Sequence, residues 1–523
     1  MSSIPIPPEL FPHIAAFLPL RAAGPTLLSL SLTNHAIHHL VYPLLYSRLI
    51  LRNEDSALSA MQKILDVPQL GIAVTELHVM TELSSEARKG TKPFDVVEGL
   101  QRMVEGNLLP RLIALGLYLT DGWVFDEEYN PILTHGRISV DFWRYLRVAC
   151  PRLKSLSLQN LGHSFDDPWF SGPVLDEVLQ FQGLSTLRLE WIDQMGLSDT
   201  DSLRVINSLP KLASSLHSLS LQAGDLQNLD EFFLVDFPNL KWLRLQDFDA
   251  GSDPSSLMTF LRRHTQLESF TFMHPGAESF GDDVEGDFLP NLKHLKASFR
   301  DIRRWTPVLP QLISLSVTES YNCQVPYLLR AILPEGLPGL KSLEIRQQSA
   351  GWELRTFEGV LWYETPDGQF RKETRRKKMP RDFTNEYIHS IITGAPNVEE
   401  LALHGLPMDP KQLKKIGPFL AQFKKLKRFY YDGFSKLNIY GNRAPIEDHE
   451  ELLAYFLSSA EMLARICGRL ERVTSIGARF LPYISCIVDR DSDGSVVGVR
   501  RNDHFGMEIP SEENDPFPSA KLS

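Results

Sequence analysis

Cysteine is scarce: the 523 residues contain four, Cys150, Cys323, Cys467 and Cys486. They lie too far apart for CxxC metal knuckles and are too few for a disulfide framework, which points to a reducing compartment, cytoplasmic, nuclear or both. A secretory signal is also missing, since Met1-Ser2-Ser3-Ile4-Pro5-Ile6-Pro7-Pro8 has no basic region and is broken by prolines. The stretch Ala22–Ser47 has no Lys, Arg, Asp or Glu, but Pro25, Asn34, Pro43 and three histidines interrupt it. No membrane span is expected there. Broad positive charge is lacking as well. A net charge of −11 and a pI near 5.8 exclude a nucleic-acid binder that neutralises phosphates over a wide face.

Catalytic motifs are equally thin. There is no Walker loop and no glycine-rich dinucleotide turn. Asp489-Arg490-Asp491-Ser492-Asp493-Gly494 begins like a calcium loop, but Arg500 stands where the bidentate glutamate must be, so a hairpin turn is expected. His35, His38 and His39 have no nearby Cys or Glu to complete a metal set. His449-Glu450-Glu451 lacks the second histidine of a zinc-protease helix, and Gly162-His163-Ser164-Phe165 is no nucleophile elbow. No cofactor, metal or catalytic residue is expected; only a dispersed hydrolase site would escape such motifs.

What is present is a repeat. Hydrophobic residues at 43% and charged residues at 23% suit a folded chain with a large core. From about residue 70 to 432 one pattern recurs: apolar, two variable, apolar, one variable, apolar. Its clearest copies are Leu153/Leu156/Leu158, Leu184/Leu187/Leu189, Leu216/Leu219/Leu221, Leu240/Leu243/Leu245, Leu292/Leu295/Ala297, Leu312/Leu315/Val317 and Leu340/Leu343/Ile345. Weaker copies start at Val74, Leu112, Leu267, Val398 and Leu426. The last two apolar positions are two apart and share one face of a short strand, while the residues between them face the other way. Most copies step by 20 to 32 residues, enough for a strand, a turn, a helix and a return. Leu226–Phe233 and Ser255–His264 have the spacing of the intervening helices.

This pattern resembles the leucine-rich repeat, which implies an α/β solenoid with parallel strands on its concave face. Where the family usually has an asparagine, three residues after the third apolar position, this chain has Leu161, Ile192, Gly224 and Phe248, so an irregular horseshoe is expected. The solenoid is assigned to 52–480, with an insertion at about 346–397. In the insertion, Val360–Tyr363 and Phe370–Lys372 flank an Asp367-Gly368 turn, which predicts a hairpin. A basic run from Arg371 to Arg381 follows, then a helix near Asn385–Thr393. Asp448–Cys467 reads as an amphipathic helix, and Leu470/Val473/Ser475 as a last degenerate repeat. Ile484–Val488 and Val496–Arg500 predict a hairpin cap within 481–509, and 510–523 a disordered tail.

Residues 1–51 fit no repeat, and their apolar residues run at helical spacing. Leu10, Ile14, Phe17 and Leu18 form one stripe, ended by Pro19 and Gly24-Pro25; a second helix runs through Leu27, Leu30, Ile37 and Leu40. So small a segment cannot bury all this apolar surface itself: either another protein covers it or it caps the solenoid. The segment resembles the F-box in Ile6-Pro7-Pro8-Glu9-Leu10, in Ile14 and Leu18, and in Leu27-Leu28-Ser29-Leu30, departing from it at Thr33 and Ile37. That resemblance implies a small all-α module that docks a Skp-type adaptor, and through it a cullin ubiquitin ligase, with Ile6, Pro7, Leu10, Ile14, Leu18, Leu28 and Leu32 at the interface. The chain would then be the substrate-recognition subunit, with no chemistry of its own. The alternative is a scaffold of the same fold outside any ligase. The target protein is expected on the side chains between the repeat apolars, Arg188, Trp242, Arg244, His294, Lys296, Arg428 and Tyr430, with Trp242 and Arg244 central because Trp, Tyr and Arg dominate binding hot spots.

Overall fold

The computed structural model describes residues 7, 9–18, 20–51, 54–80, 95–119, 123–125, 131–133, 138–160, 171–191, 199–222, 229–246, 254–273, 284–320, 328–329, 333, 335–347, 359–364, 370–375, 383–408, 410–433, 447–476 and 484–501. The chain divides into two compact units, Met1–Gly281 and Asp282–Gly506.

In the first unit eight described strands lie side by side: β1 (Arg48–Leu51), β2 (Glu76–Met80), β3 (Ala114–Leu119), β6 (Ser155–Asn160), β7 (Thr186–Trp191), β8 (Ser218–Gln222), β9 (Trp242–Gln246) and β10 (Ser269–Met273). All neighbours are parallel. A short antiparallel pair, β4 (Trp123–Phe125) with β5 (Pro131–Leu133), interrupts the sequence order. The pattern read from the sequence fixes the register: Leu77, Leu115, Leu156, Leu187, Leu219, Leu243 and Phe270 stand in one row, each no more than 2% exposed. Each such side chain contributes roughly 1.5–3 kcal/mol once neighbouring repeats cover it.

Helices return the chain between strands. Helix α4 is Glu54–Asp66, α5 Pro68–Ala73, α6 Val96–Glu105, α7 Val140–Ala149, α8 Gly172–Val178, α9 Asp199–Leu212, α10 Leu229–Leu234 and α11 Pro254–Arg263. Their starts are set chemically: Asp95 accepts from Glu98 N–H at 2.8 Å, and Ser139 from Phe142 N–H at 3.1 Å. Helix α10 covers Leu229–Leu234, and the first turn expected from Leu226 lies outside the described residues.

The second unit repeats the plan with β11 (His294–Ser298), β12 (Ser314–Ser320), β13 (Ser342–Gln347), β16 (Glu400–Met408), β17 (Arg428–Gly433) and β18 (Arg472–Ile476), all parallel. Its helices are α12 (Phe299–Arg304), α13 (Phe383–Gly394), α14 (Pro410–Leu420) and α15 (Glu447–Ile466). The hairpin expected in the insertion forms as β14 (Gly359–Glu364) with β15 (Phe370–Arg375). The expected C-terminal hairpin also forms: β19 (Ile484–Arg490) runs antiparallel to β18, and β20 (Val496–Arg501) antiparallel to β19. Arg490 fastens it to the end of α15, donating to the carbonyls of Ala464, Cys467 and Leu470 at 3.1–3.2 Å.

One backbone device recurs in both units. The carbonyl just before a strand accepts two successive N–H groups of the next repeat: Lys154 from Ser185 and Thr186, His217 from Lys241 and Trp242, Lys341 from Glu399 and Glu400, all at 2.7–3.0 Å. This staple keeps repeats of unequal length in register. The positions of the family's asparagine, Leu161, Ile192, Gly224 and Phe248, lie outside the described residues.

The N-terminal module is a bundle of α1 (Leu10–Phe17), α2 (Leu20–Ser31) and α3 (His35–Leu45) around Phe11, Ala15, Leu27 and Val41. Four expectations change here. The inward stripe of α1 runs through Phe11, Ala15 and Leu18, and Leu10 is turned out. The single second helix is two, because Asn34 takes an extended backbone and its side chain accepts from Ile37 N–H at 2.9 Å, starting a new helix. Gly24-Pro25 lies inside α2 and does not end a helix. Finally, Arg48–Leu51 is already a sheet strand, so the ladder begins inside the 1–51 segment.

Candidate functional site

Between the buried leucines, the opposite face of each sheet carries columns of polar side chains in register. In the first unit Ser157, Arg188, Ser220, Arg244 and Thr271 form one column, and Gln159, Glu190, Gln222, Gln246 and Met273 the next. Glu190 organises this region. It is 1% exposed, takes Arg188 Nη2 at 2.6 Å and Ser220 Oγ at 3.1 Å, and has Arg244 Nε at 3.9 Å. Burial pushes its carboxyl up, but Arg188 and Arg244 outweigh burial and hold it below the usual range. Arg244 also donates twice to Gln246 Oε1, at 2.6 and 3.1 Å. Trp242, half-buried one pleat away, is flanked in register by the small side chains of Ser218 and Ser269.

The second unit repeats the motif more strongly. Glu344, fully buried, lies beside Arg346, with Lys296 Nζ at 3.6 Å, His404 Nε2 at 3.1 Å and the Ser316 hydroxyl donating at 2.5 Å. Burial again pushes this carboxyl up, and Arg346 and Lys296 with His404 carry it well below the carboxylate range. One strand on, Glu400 accepts from Ser342 Oγ at 3.1 Å and from Arg428. Each carboxylate thus sits behind guanidinium groups and fixes their orientation at the face.

Near the start of the ladder His78 stacks on Tyr118 with Nδ1 3.4 Å from the hydroxyl. Gly116 stands between them, and a Cβ there would lie 2.3 Å from His78 Nδ1. Burial lowers the His78 imidazole to about 4, so it is neutral at physiological pH.

The expected target-binding residues fall into two groups. Trp242, Arg244 and Arg428 are half-buried and reach the surface, whereas Arg188, His294, Lys296 and Tyr430 are 8%, 7%, 9% and 1% exposed. Arg188 and Arg244 share Glu190, while Arg428 belongs to Glu400 in the other unit. Sequence reasoning missed Glu344 and Glu400. A glutamate between two strand apolars was their only signal, and it does not distinguish a buried acid from a solvated one.

In the N-terminal module Leu10, Leu28, Leu32 and Leu40 are 45%, 51%, 75% and 37% exposed. Pro7 is exposed, Ile14 half-buried, and Leu18 packs on the module's core; Ile6 lies outside the described residues. The expected hairpin turn holds at Asp491, whose carboxylate accepts from Asp493 and Ser495 N–H at 3.0 and 2.8 Å. Among the described residues no group of three or more His, Cys, Asp or Glu could hold a metal ion, and no helix is long and apolar enough to cross a membrane.

The ladder of parallel strands and return helices is that of a leucine-rich-repeat solenoid, a fold used chiefly for binding other proteins. No family model matches the sequence, and no curated protein matches it. Among solved structures it is similar to the leucine-rich repeat-containing protein LegL7 from Legionella pneumophila, at 11% identity over 81% of this chain and 92% of that one, with a TM-score of 0.33. The fold assignment rests on the strand ladder and not on that likeness.

Proposed function

We propose that this protein is the substrate-recognition subunit of a cullin-type ubiquitin ligase: the N-terminal module docks a Skp-type adaptor, and the polar face of the repeats holds the target. The observation that carries the docking half is the set of four large leucines left exposed on a three-helix module that packs on Phe11, Ala15, Leu27 and Val41. The F-box resemblance in Ile6–Leu10 and Leu27–Leu30 supplies the class of partner. For the target half, Trp242 and Arg244 offer an indole and a guanidinium at alternate strand positions, with the guanidinium oriented by Glu190 and Gln246.

The test is a full-length variant with Leu28→Asp and Leu32→Asp, because removing residues 1–51 would also delete β1. Both positions are exposed, so the melting temperature should stay within a few degrees of wild type. Adaptor affinity should drop at least a hundredfold, about 2.7 kcal/mol. Wild-type affinity for the adaptor would place the module outside the interface. No binding by either protein would favour a scaffold that engages no ligase.

A further inference from the structure

Charge is divided unequally along the chain. Residues 1–281 carry 21 Lys and Arg against 32 Asp and Glu, whereas residues 282–506 carry 32 against 29. Part of the second unit's positive charge is concentrated on α14 and the turn after it. From Pro410 to Tyr431 there are seven basic residues and no acidic one. Leu413, Ile416 and Leu420 face inward, and Phe423 and Leu426 close the turn, so the lysines take the outer positions. Lys411, Lys414, Lys415, Lys424 and Lys425 are all exposed.

The other two basic residues are engaged, Lys427 by Glu399 at 2.8 Å and Arg428 by Glu400. Among the described residues Lys411, Lys414, Lys415 and Lys424 form no ion pair or hydrogen bond, and Lys425 acts only at longer range, as one of the charges that help hold the Glu399 carboxyl below its usual range. The flanking helices carry Glu386 on α13 and Glu447, Asp448, Glu450, Glu451 and Glu461 on α15. Glu461 is held by Arg465 at 2.6 Å. Lys411 and Lys415 are one turn apart, as are Lys411 and Lys414, so their like charges repel at a cost of a few tenths of a kcal/mol per pair. An anionic partner would relieve that repulsion.

We infer that the lysine face of α14 is a docking surface for an acidic, Asp- and Glu-rich segment of a partner protein. The eleven-residue helix alone spans about 16 Å at 1.5 Å per residue, which matches an extended segment of roughly five residues. The face is made of lysine alone, a point-charge donor. Planar guanidinium forks, preferred for phosphate and nucleic acid, are absent from it. It also lacks an exposed aromatic to enter a lipid surface or stack on a base: Phe423 is buried and Phe419 half-buried. The acidic first unit would repel such a segment, so approach is steered to the second. This surface is separate from the N-terminal module and does not depend on what that module binds.

The experiment uses the full chain and a fluorescein-labelled octapeptide of alternating Asp and Glu, read by anisotropy over a salt series. Changing Lys411, Lys414, Lys415, Lys424 and Lys425 to Gln should weaken binding at least tenfold and flatten the salt dependence, while Lys211→Gln, on α9, should change neither. A variant limited to Lys411, Lys414 and Lys415 should show an intermediate loss, and all variants should keep the wild-type melting temperature. A 20-nucleotide oligo-dT strand and phosphatidylserine vesicles should bind more weakly than the peptide. Equal peptide affinity for wild type and the five-lysine variant overturns the inference. So does tighter binding of the oligonucleotide or the vesicles through the same lysines.

Discussion

Replacing Glu344 with Gln keeps the shape of the side chain and removes its charge. In the wild type that carboxylate is fully buried and balances Arg346 and Lys296, whose side chain is only 10% exposed. Removing one member of a buried ion pair typically costs 3–5 kcal/mol, because the remaining charge keeps its desolvation penalty. The Ser316 hydroxyl can still donate to the amide oxygen, which places the expected loss near the lower end, about 3 kcal/mol. For a unit of this size that lowers the melting temperature by roughly 6–12 °C. Glu399→Gln is the control: its pair with Lys427 is 28% and 44% exposed, so its loss should stay within about 1 kcal/mol. Calorimetry of both variants from pH 3 to 8 tests the reasoning. A carboxylate whose folded value is depressed stabilises fully above its unfolded value of about 4.5, and that contribution disappears as pH falls through the folded value. The gap between wild type and Glu344→Gln should thus be constant above about pH 5.5 and narrow below 4.5. Equal melting temperatures for the two variants, or a gap that widens in acid, would refute it.

Other predictions follow from single contacts. His78, lowered to about 4 in the fold, is neutral there while the unfolded chain binds a proton below 6.5; acidification from pH 7 to 4.5 should cost roughly 2–3 kcal/mol through this residue, a loss missing from His78→Gln in urea titrations. Gly116→Ala should destabilise by several kcal/mol and change the near-ultraviolet signal of Tyr118, since the new Cβ meets both rings. Gly336 has φ of +64° and a Cβ there would lie 2.3 Å from the Gly394 carbonyl, so Gly336→Ala should reduce the yield of folded protein sharply. Arg490→Met should cost about 2 kcal/mol and speed hydrogen exchange selectively in β19 and β20.

The repeats were legible because the residues that set their register are adjacent in sequence: three apolar positions within six residues decide a strand, a face and an alignment. β1 escaped that reading because Leu49, Ile50 and Leu51 are apolar on both faces and Tyr46 stands where the other copies have a leading Leu or Val. The break at Asn34 depended on one side-chain bond to Ile37, which competes with a helical pattern continuing on either side. At the candidate site, Trp242 and Arg244 could be singled out by residue type alone. Glu344 could not, because Lys296, Ser316 and His404 come from three other strands and meet it only after the coil has closed.

The reversal of chain direction after β18 has a consequence for assembly. A row of parallel strands grows like a crystal at its exposed edge, and any chain offering a compatible strand could be added there. By folding back as β19 and β20, the protein consumes that edge of β18 with its own backbone, and the Arg490 clamp on α15 keeps the seal shut. Loss of the seal would turn a finite coil into a template for its neighbours, so lesions in Ile484–Arg501 should show first as concentration-dependent aggregation, ahead of any fall in the melting temperature of the repeats.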